Sequence, residues 1–255
     1  MSKEKYITAS IVVYKEHPAE LQKIIDTFLE YPFSKKIYII DNSPSPIIKE
    51  KIEGDRIYYL FTGHNLGFAR GHNSILDHLK QQFHYHLILN PDISFSSEIL
   101  KELTDQLQKD KQLSMVAPKV FYPSGKLQYT ARKFPSVYEL FFRFLGIFKS
   151  YTQKKEYRDQ GILSPFSPDF VQGCFMLFKT KDFLDLKGFD ERYFMYMEDV
   201  DICKKIDLSG KRKLYYPATE IIHTHRKGSS KEFRLFFIHI SSIIKYFMKW
   251  GFNGS

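Results

Sequence analysis

ITASIVVYKEHPAELQKIIDTFLEYPFSKKIYIIDNS, residues 7–43, is the stretch that decides the fold. Its first run, ITASIVVY at 7–14, is apolar and β-branched over the length of a strand. Pro18 then opens a stretch in which Leu21, Ile24, Ile25, Phe28 and Leu29 recur at helical spacing. KIYIID at 36–41 is a second buried strand, and Asn42-Ser43-Pro44-Ser45-Pro46 ends it, because neither a strand nor a helix continues through such a run. Working outward, a short strand lies near 56–61, the polar loop TGHNLG spans 62–67, a helix covers about 68–80, and YHLIL at 85–89 closes on Asn90-Pro91-Asp92. The order β-α-β-β-α-β with near-continuous apolar strands predicts an α/β fold: a mostly parallel central sheet flanked by helices, with ligands gathered at the carboxyl ends of the strands. Asp41 and Asp92 stand at two such ends.

Beyond residue 99 the pattern gives a helix to Gln108, then strands over 115–121 and 171–178 that extend the same sheet, with an aromatic helix between them over 136–149. A Gly188-Phe189-Asp190 turn leads to a helix starting near Glu198, and short strands follow at 213–216 and 219–222. The chain has no internal repeat and no linker that would separate two domains. It reads as one domain over 1–230 followed by an amphipathic C-terminal helix in 231–255, carrying Leu235, Phe236, Ile238, Ile243, Phe247 and Trp250.

Composition narrows the function classes. In 255 residues, 43% are hydrophobic and 26% charged, which is an ordinary globular balance and excludes a low-complexity chain. Two cysteines are too few for a disulfide framework or a four-thiolate metal site, so a reducing compartment is expected and a zinc finger is excluded. No apolar run reaches the roughly 18 to 20 residues of a membrane span, and MSKEKYITAS lacks the apolar core of a signal peptide. The expected location is the cytoplasm. The net charge of +9 is uneven: residues 1–100 hold 11 basic and 12 acidic side chains, so the excess belongs to the rest. A local basic excess points to an anionic partner: nucleic acid, a phospholipid surface or a phosphorylated substrate. The aromatic clusters at 134–151 and 233–252 lack the spacing of a nucleic-acid-binding signature.

The chain has no G-x-x-x-x-G-K-[ST] loop, no G-x-G-x-x-G after the first strand and no G-x-S-x-G turn, so ATPase, dehydrogenase and hydrolase readings lose their main support. What remains are polar groups where apolar strands end: Asp41, Asn65 and Asn73 around Gly67-Phe68-Ala69-Arg70-Gly71, and Asn90-Pro91-Asp92. Turns and caps use the same residues. FMYMEDVD at 194–201 embeds three carboxylates in apolar surroundings, and in the first turn of a helix the dipole would keep such an acid ionised and able to accept a proton. EIIHTH at 220–225 places His223 and His225 at alternate positions after a strand, where imidazole and carboxylate oxygen together suit Mn²⁺ or Mg²⁺.

These segments in this order resemble the family 2 glycosyltransferases of the GT-A fold, and within them the bacterial rhamnosyltransferase-like branch. The matching pieces are ASIVVYKEH at 9–17, IYIIDNS at 37–43, GHNLGFARGHN at 63–73, LILNPDI at 87–93, FVQGCFML at 170–177, GFDERYFMYMEDVDIC at 188–203 and EIIHTHRKGSS at 220–230, covering nearly the whole chain. The resemblance implies a nucleotide-sugar-binding half over 1–112 and an acceptor half over 113–230. It implies that Val12, Tyr14 and Asp41 hold the nucleotide base. Asn65, Gly67, Arg70 and Asn73 would line the nucleotide and diphosphate, and Asn90 and Asp92 would stand in the D-x-D element that binds ribose and a divalent metal. Here an asparagine replaces the first acid, which removes one anionic ligand. Asp199 matches the catalytic base, Glu198 its neighbour, and His223 or His225 the C-terminal metal ligand beside Asp92.

The implied activity is inverting transfer of a sugar, L-rhamnose from dTDP-rhamnose or else a sugar from a UDP donor, onto a saccharide or lipid-diphosphate-linked acceptor for cell-surface polysaccharide. The implied cofactor is Mn²⁺ or Mg²⁺. No nucleic acid partner is expected, and the inner face of the cell membrane is a candidate docking surface, with Phe236, Phe247 and Trp250 at the headgroups. A sugar-phosphate nucleotidyltransferase would carry a Gly-rich, Arg/Lys-bearing phosphate loop near the N-terminus, which residues 9–17 lack. A basic nucleic-acid-binding protein is the non-enzymatic alternative.

Overall fold

The computed structural model describes residues 6–46, 54–80, 83–138, 153–158, 163–224 and 233–252. The aromatic helix expected at 136–149 lies almost wholly outside these residues, as does His225. Strand β1 (Ile7–Val13) is buried along nearly its whole length. Helix α1 (Pro18–Glu30) starts on Pro18 and turns Leu21, Ile24, Ile25 and Phe28 inward. Then come β2 (Ser34–Asp41) and β3 (Ile57–Phe61).

The helix expected over 68–80 is two, α2 (Gly67–Asn73) and α3 (Leu76–Leu79). Ser74 explains the break. Its hydroxyl donates to the Gly71 carbonyl at 2.7 Å, a side-chain bond that competes with helix continuation. Strands β4 (Tyr85–Leu89) and β5 (Ile93–Ser94), helix α4 (Ile99–Lys109) and strands β6 (Leu113–Phe121), β7 (Leu127–Gln128) and β8 (Ala131–Arg132) follow.

The single strand expected over 171–178 is divided into β9 (Phe170–Val171) and β10 (Phe175–Lys179) by a turn at Gln172-Gly173-Cys174. Helices α5 (Thr180–Asp185) and α6 (Glu198–Leu208), strand β11 (Arg212–His223) and helix α7 (Phe233–Trp250) complete the fold. β11 runs through both short strands expected at its position. The pairing with β6 slips between Tyr216 and Glu220, so Pro217, which has no N–H to give, falls in the slip.

Among the described residues the main sheet has nine strands, in the order β3-β2-β1-β4-β10-β6-β11-β5 with β7 beside β6. Its first four strands are parallel, as the β-α-β order predicts. β10 then enters antiparallel to both β4 and β6, so the sheet as a whole is mixed. Helices cover both faces. One layer packs Ile11, Leu87 and Leu177 against α1 and α4; the other packs Ile40, Ile88, Met115 and Phe178 against residues of α6 and α7, including Ile202, Ile206 and Tyr246.

A polar chain lies inside the second layer. Ser10 Oγ sits 3.0 Å from His86 Nε2 and 2.7 Å from His72 Nδ1, and Thr8 Oγ1 lies 2.9 Å from His86 Nδ1. Burial pushes His86 down to about 3 and His72 well below the usual imidazole range, so both rings are neutral and join α2 to the sheet without a buried charge.

Candidate active site

Residues from the carboxyl ends of β1, β2 and β3 meet in one polar network. The Asn42 N–H donates to Val13 O at 2.9 Å, and the Thr62 hydroxyl donates to Asp41 O at 2.9 Å. Asn42 Nδ2 reaches Gly67 O at 3.1 Å, tying β2 to the start of α2. Asp41 lies beneath this network: it is fully buried, with Oδ1 accepting the Ser43 N–H at 2.9 Å and Oδ2 accepting the Tyr59 hydroxyl at 2.5 Å. Asp41, expected to meet a nucleotide base, is enclosed here, with its carboxylate occupied in shaping the 42–43 turn. Tyr14 is the exposed member of the expected base-binding set, at 43%, with Lys15 Nζ 5.3 Å from its ring centre. Val12 is half-buried and packs on Gly71.

Helix α2 is fastened to the 188–197 loop. Gly67 has φ +78°, and a Cβ there would run into the Phe194 carbonyl, which accepts the Phe68 N–H at 2.8 Å. Only glycine permits both the backbone angle and the approach. Asn73 is the second fastening: Oδ1 accepts the Phe189 N–H at 2.9 Å, and Nδ2 donates to Phe189 O at 2.8 Å and Glu191 Oε1 at 3.2 Å. Asn73, expected to line the nucleotide, thus clips α2 to the 189–191 segment. Arg70 is exposed, with Nε 3.5 Å from Glu191. The Asn65 side chain accepts the Gly67 N–H at 2.9 Å, and both residues face the same end of the sheet as Tyr14.

The ends of β4 and β11 converge on a second cluster. Asp92 Oδ1 lies 3.3 Å from His223 Nε2, and the Thr224 N–H donates to Asp92 O at 3.1 Å. Gln128 on β7 holds the ring from behind: its Oε1 is 3.1 Å from His223 Nδ1, and its Nε2 donates to His223 O at 2.6 Å. Burial opposes charge on His223, yet hydrogen bonds to Asp92 and Cys174 raise it to about 10. The Asn90 N–H is fixed to Cys174 O at 2.9 Å. Of the expected metal ligands, Asp92 and His223 are brought together. A divalent cation fits this pair, because one carboxylate oxygen and one imidazole nitrogen, the ring's other nitrogen engaged by an amide, form an oriented oxygen–nitrogen donor pair. No cluster of three or more His, Cys, Asp or Glu that could hold a metal occurs among the described residues.

The third cluster begins α6. Tyr196 and Met197 both have φ +70°, a left-handed pair that costs about 1–3 kcal/mol per residue and turns the chain sharply into Glu198. Asp199 is partly exposed; Oδ1 accepts the Val200 N–H at 2.8 Å and Oδ2 the Gly173 N–H at 3.1 Å. Loss of hydration raises its carboxyl above the usual range, against the lowering effect of those two N–H groups and Arg132. Glu198 is buried, its Oε2 has no hydrogen-bond partner among the described residues, and burial followed by the charge of Asp199 pushes it well above the ordinary value. The expectation that the helix dipole keeps these acids readily ionised thus fails for Glu198, where desolvation outweighs the dipole. Both carboxyls are raised, Glu198 the further, and Asp199 is the one of the pair that is partly exposed.

Several residues here were not visible in sequence. Tyr59, Gln128 and Gly173 acquire their roles only through long-range packing. The Gln172-Gly173-Cys174 turn reaches both clusters, with Gly173 on Asp199 and Cys174 on His223. Asp201, the third acid, anchors the C-terminal helix: fully buried, it accepts from Lys249 Nζ and Trp250 Nε1, each at 2.7 Å. Trp250 and the buried Phe247 are therefore packed against the domain, which corrects their expected place among lipid headgroups. Among the described residues no helix is long and apolar enough to cross a membrane.

A mixed sheet of this order flanked by helices, with acids at its strand ends, is the GT-A fold of nucleotide-sugar glycosyltransferases. GalNAc-T7 with UDP, GalNAc and Mn²⁺ superimposes with a TM-score of 0.68 at 14% identity, covering 88% of this chain and 44% of that one. A Pyrobaculum calidifontis mannosyltransferase with GDP-Man and Mn²⁺ gives 0.62 at 13%, covering 89% and 59%. The chain thus spans about half the length of these structural neighbours. The description "Glycosyl transferase family 2" matches residues 8–183, and the chain belongs to that family. Rhamnosyltransferase WbbL of Escherichia coli K12 is 29% identical over 245 residues, covering 92% of this chain and 90% of its own. N-acetylglucosaminyl-diphospho-decaprenol L-rhamnosyltransferase of Mycobacterium tuberculosis is 27% identical over 197 residues, covering 72% of this chain and 64% of its own.

Proposed function

We propose that the chain is an inverting rhamnosyltransferase, transferring L-rhamnose from dTDP-rhamnose to a saccharide or lipid-diphosphate-linked saccharide during cell-surface polysaccharide assembly. The observation that carries this reading is the placement of Asp199, a partly exposed carboxylate at the start of α6 held by the Gly173 and Val200 N–H groups, beside a fully enclosed Glu198. A single base suffices for direct displacement. The acceptor oxygen bonds to the anomeric carbon, the bond from that carbon to the diphosphate oxygen breaks, and Asp199 takes the hydroxyl proton.

Residues 1–112 would form the donor half, with Tyr14, Val12 and Asn65 around the nucleoside, Asn90 toward the ribose and Arg70 toward the diphosphate. Residues 113–230 would supply the acceptor half. Asp92 and His223, with His225 as the further candidate, would hold Mn²⁺ or Mg²⁺, whose chemistry is to neutralise charge on a leaving diphosphate. Gly67, Asn73 and Asp41 would act indirectly, by fixing the loops that carry the others. The rhamnose assignment is supported by the names of two relatives, both rhamnosyltransferases. A UDP-sugar donor is the second reading, favoured by the UDP bound in one structural neighbour. The acceptor would be met in the cytoplasm, at the inner face of the membrane.

The test is a thermal-shift series with dTDP-rhamnose, UDP-sugars and GDP-sugars, with and without Mn²⁺. A donor that binds the native state stabilises it by mass action, about 2.7 kcal/mol at a hundredfold excess over Kd. Selective stabilisation by dTDP-rhamnose supports the proposal; selective stabilisation by a UDP-sugar replaces it with the second reading.

A further inference from the structure

Helix α7 buries Tyr246 and Phe247 against the domain and turns two polar side chains inward beside them. Its polar Ser242 points inward, where Oγ donates to Met195 O at 2.8 Å, and Lys249 reaches inward to Asp190 and Asp201 at 2.7 Å each. Its solvent side is apolar: Phe233 is 85% exposed, Phe237 63%, Ile240 36%, Ile244 53% and Met248 77%. Spacings of three and four residues place all five on one stripe. A continuous apolar stripe of this length on a surface marks an interaction face rather than scattered exposure.

Charge selects the occupant. Between Phe233 and Trp250 the chain has three basic residues and no acid. Arg234 and Lys245 are exposed and, by helical spacing, fall on the same flank of the stripe. They also line, with Phe194, a cleft of about 430 Å³, where Lys245 Nζ donates to Arg192 O at 2.8 Å. A second copy packed face to face with its helix antiparallel would bring these like charges together with no acid on the helix to neutralise them. An anionic lipid surface satisfies both features, apolar residues below and cations at the phosphates.

We propose that α7 docks flat on an anionic phospholipid surface, with Phe233, Phe237, Ile240, Ile244 and Met248 entering the headgroup–acyl boundary and Arg234 and Lys245 meeting lipid phosphates. The face is a different one from that carrying Phe247 and Trp250, which hold the helix to the domain. The helix lies on the membrane and does not cross it. Ser242 grips the backbone one residue before the Tyr196-Met197 turn into Asp199, so docking sets the reacting carboxylate beside the membrane. This deepens the reading above, because a lipid-linked acceptor would be presented there.

Flotation of the purified protein with vesicles tests it. Binding is expected to vesicles of phosphatidylcholine mixed with phosphatidylglycerol, not to phosphatidylcholine alone, and to fall as salt rises. Arg234→Gln with Lys245→Gln should lower partitioning roughly tenfold or more, at about 1 kcal/mol per basic residue. Phe237→Ser, Ile244→Ser and Met248→Ser together should abolish it while leaving the melting temperature nearly unchanged, since these side chains are exposed. Absence of flotation with the anionic vesicles would overturn the proposal. So would a wild-type dimer in light scattering that the triple-serine variant converts to monomer. Donor-dependent thermal shifts measured on the same samples report the transferase reading separately: their loss with flotation intact would remove that reading alone.

Discussion

Asp92 Oδ1 and His223 Nε2 face each other 3.3 Å apart, one after β4 and the other at the end of β11, with Gln128 engaging the opposite ring nitrogen. The amide fixes the orientation of the imidazole, so Nε2 is presented toward the carboxylate.

Gln128→Leu should therefore weaken apparent Mn²⁺ affinity about 10- to 100-fold, read as the metal concentration needed for half of the donor-induced thermal shift. Asp92→Ala should remove most of the metal response. Unchanged metal titrations in both variants would take the metal away from this pair.

Glu198→Gln should be tolerated, in contrast to its neighbour. Its folded pKa is raised well above the unfolded value, so the native state holds more protons than the unfolded one between the two. Stability contributed by that proton is complete below the unfolded pKa, near 4.3, and declines as pH rises toward the folded value. An amide mimics the protonated acid at all pH. Relative to wild type, Glu198→Gln should gain melting temperature at neutral pH and lose that advantage in acid, with transfer reduced only a few-fold. A large loss of transfer with intact donor binding would instead make Glu198 the reacting acid.

Asn73→Ala should act on stability first. It removes three hydrogen bonds that join α2 to the 189–191 segment and leaves both backbone polar groups of Phe189 without their partner. Each unsatisfied buried group costs about 1–3 kcal/mol, which corresponds to a fall in melting temperature of roughly 5 °C or more. Calorimetry with and without donor separates this from direct contact: a variant of unchanged stability that has lost donor binding would restore Asn73 to the nucleotide site.

The parallel half of the fold was legible because its signals are local. Apolar runs end abruptly at Asp41 and Asn90, and α1 starts on Pro18 with clear helical spacing. The antiparallel entry of β10 was not, since a five-residue apolar run carries no sign of its direction, and Gly173 alone did not reveal a turn shared by two clusters. Strand ends marked Asp92 and His223, but their pairing depends on β11 crossing the sheet to β5. The same limit explains Asp41 and Asn73. A sequence places polar residues at strand ends, whereas whether they face ligand or backbone is decided by partners such as Tyr59 and Phe189, far away in the chain. In α7 the periodicity was visible but not which face turns inward, because that depends on Asp201 receiving Lys249 and Trp250.

Transfer by Asp199→Asn tests the central claim most directly. The substitution keeps volume and removes the proton acceptor, so turnover should fall by roughly 10² to 10⁴ while donor-induced stabilisation stays close to wild type. In wild type, kcat/KM should rise with pH as Asp199 ionises, through a pKa above the ordinary carboxylate value, and the variant should lack that limb. A folded Asp199→Asn protein that transfers sugar at near-normal rate with the same rising limb would contradict the account.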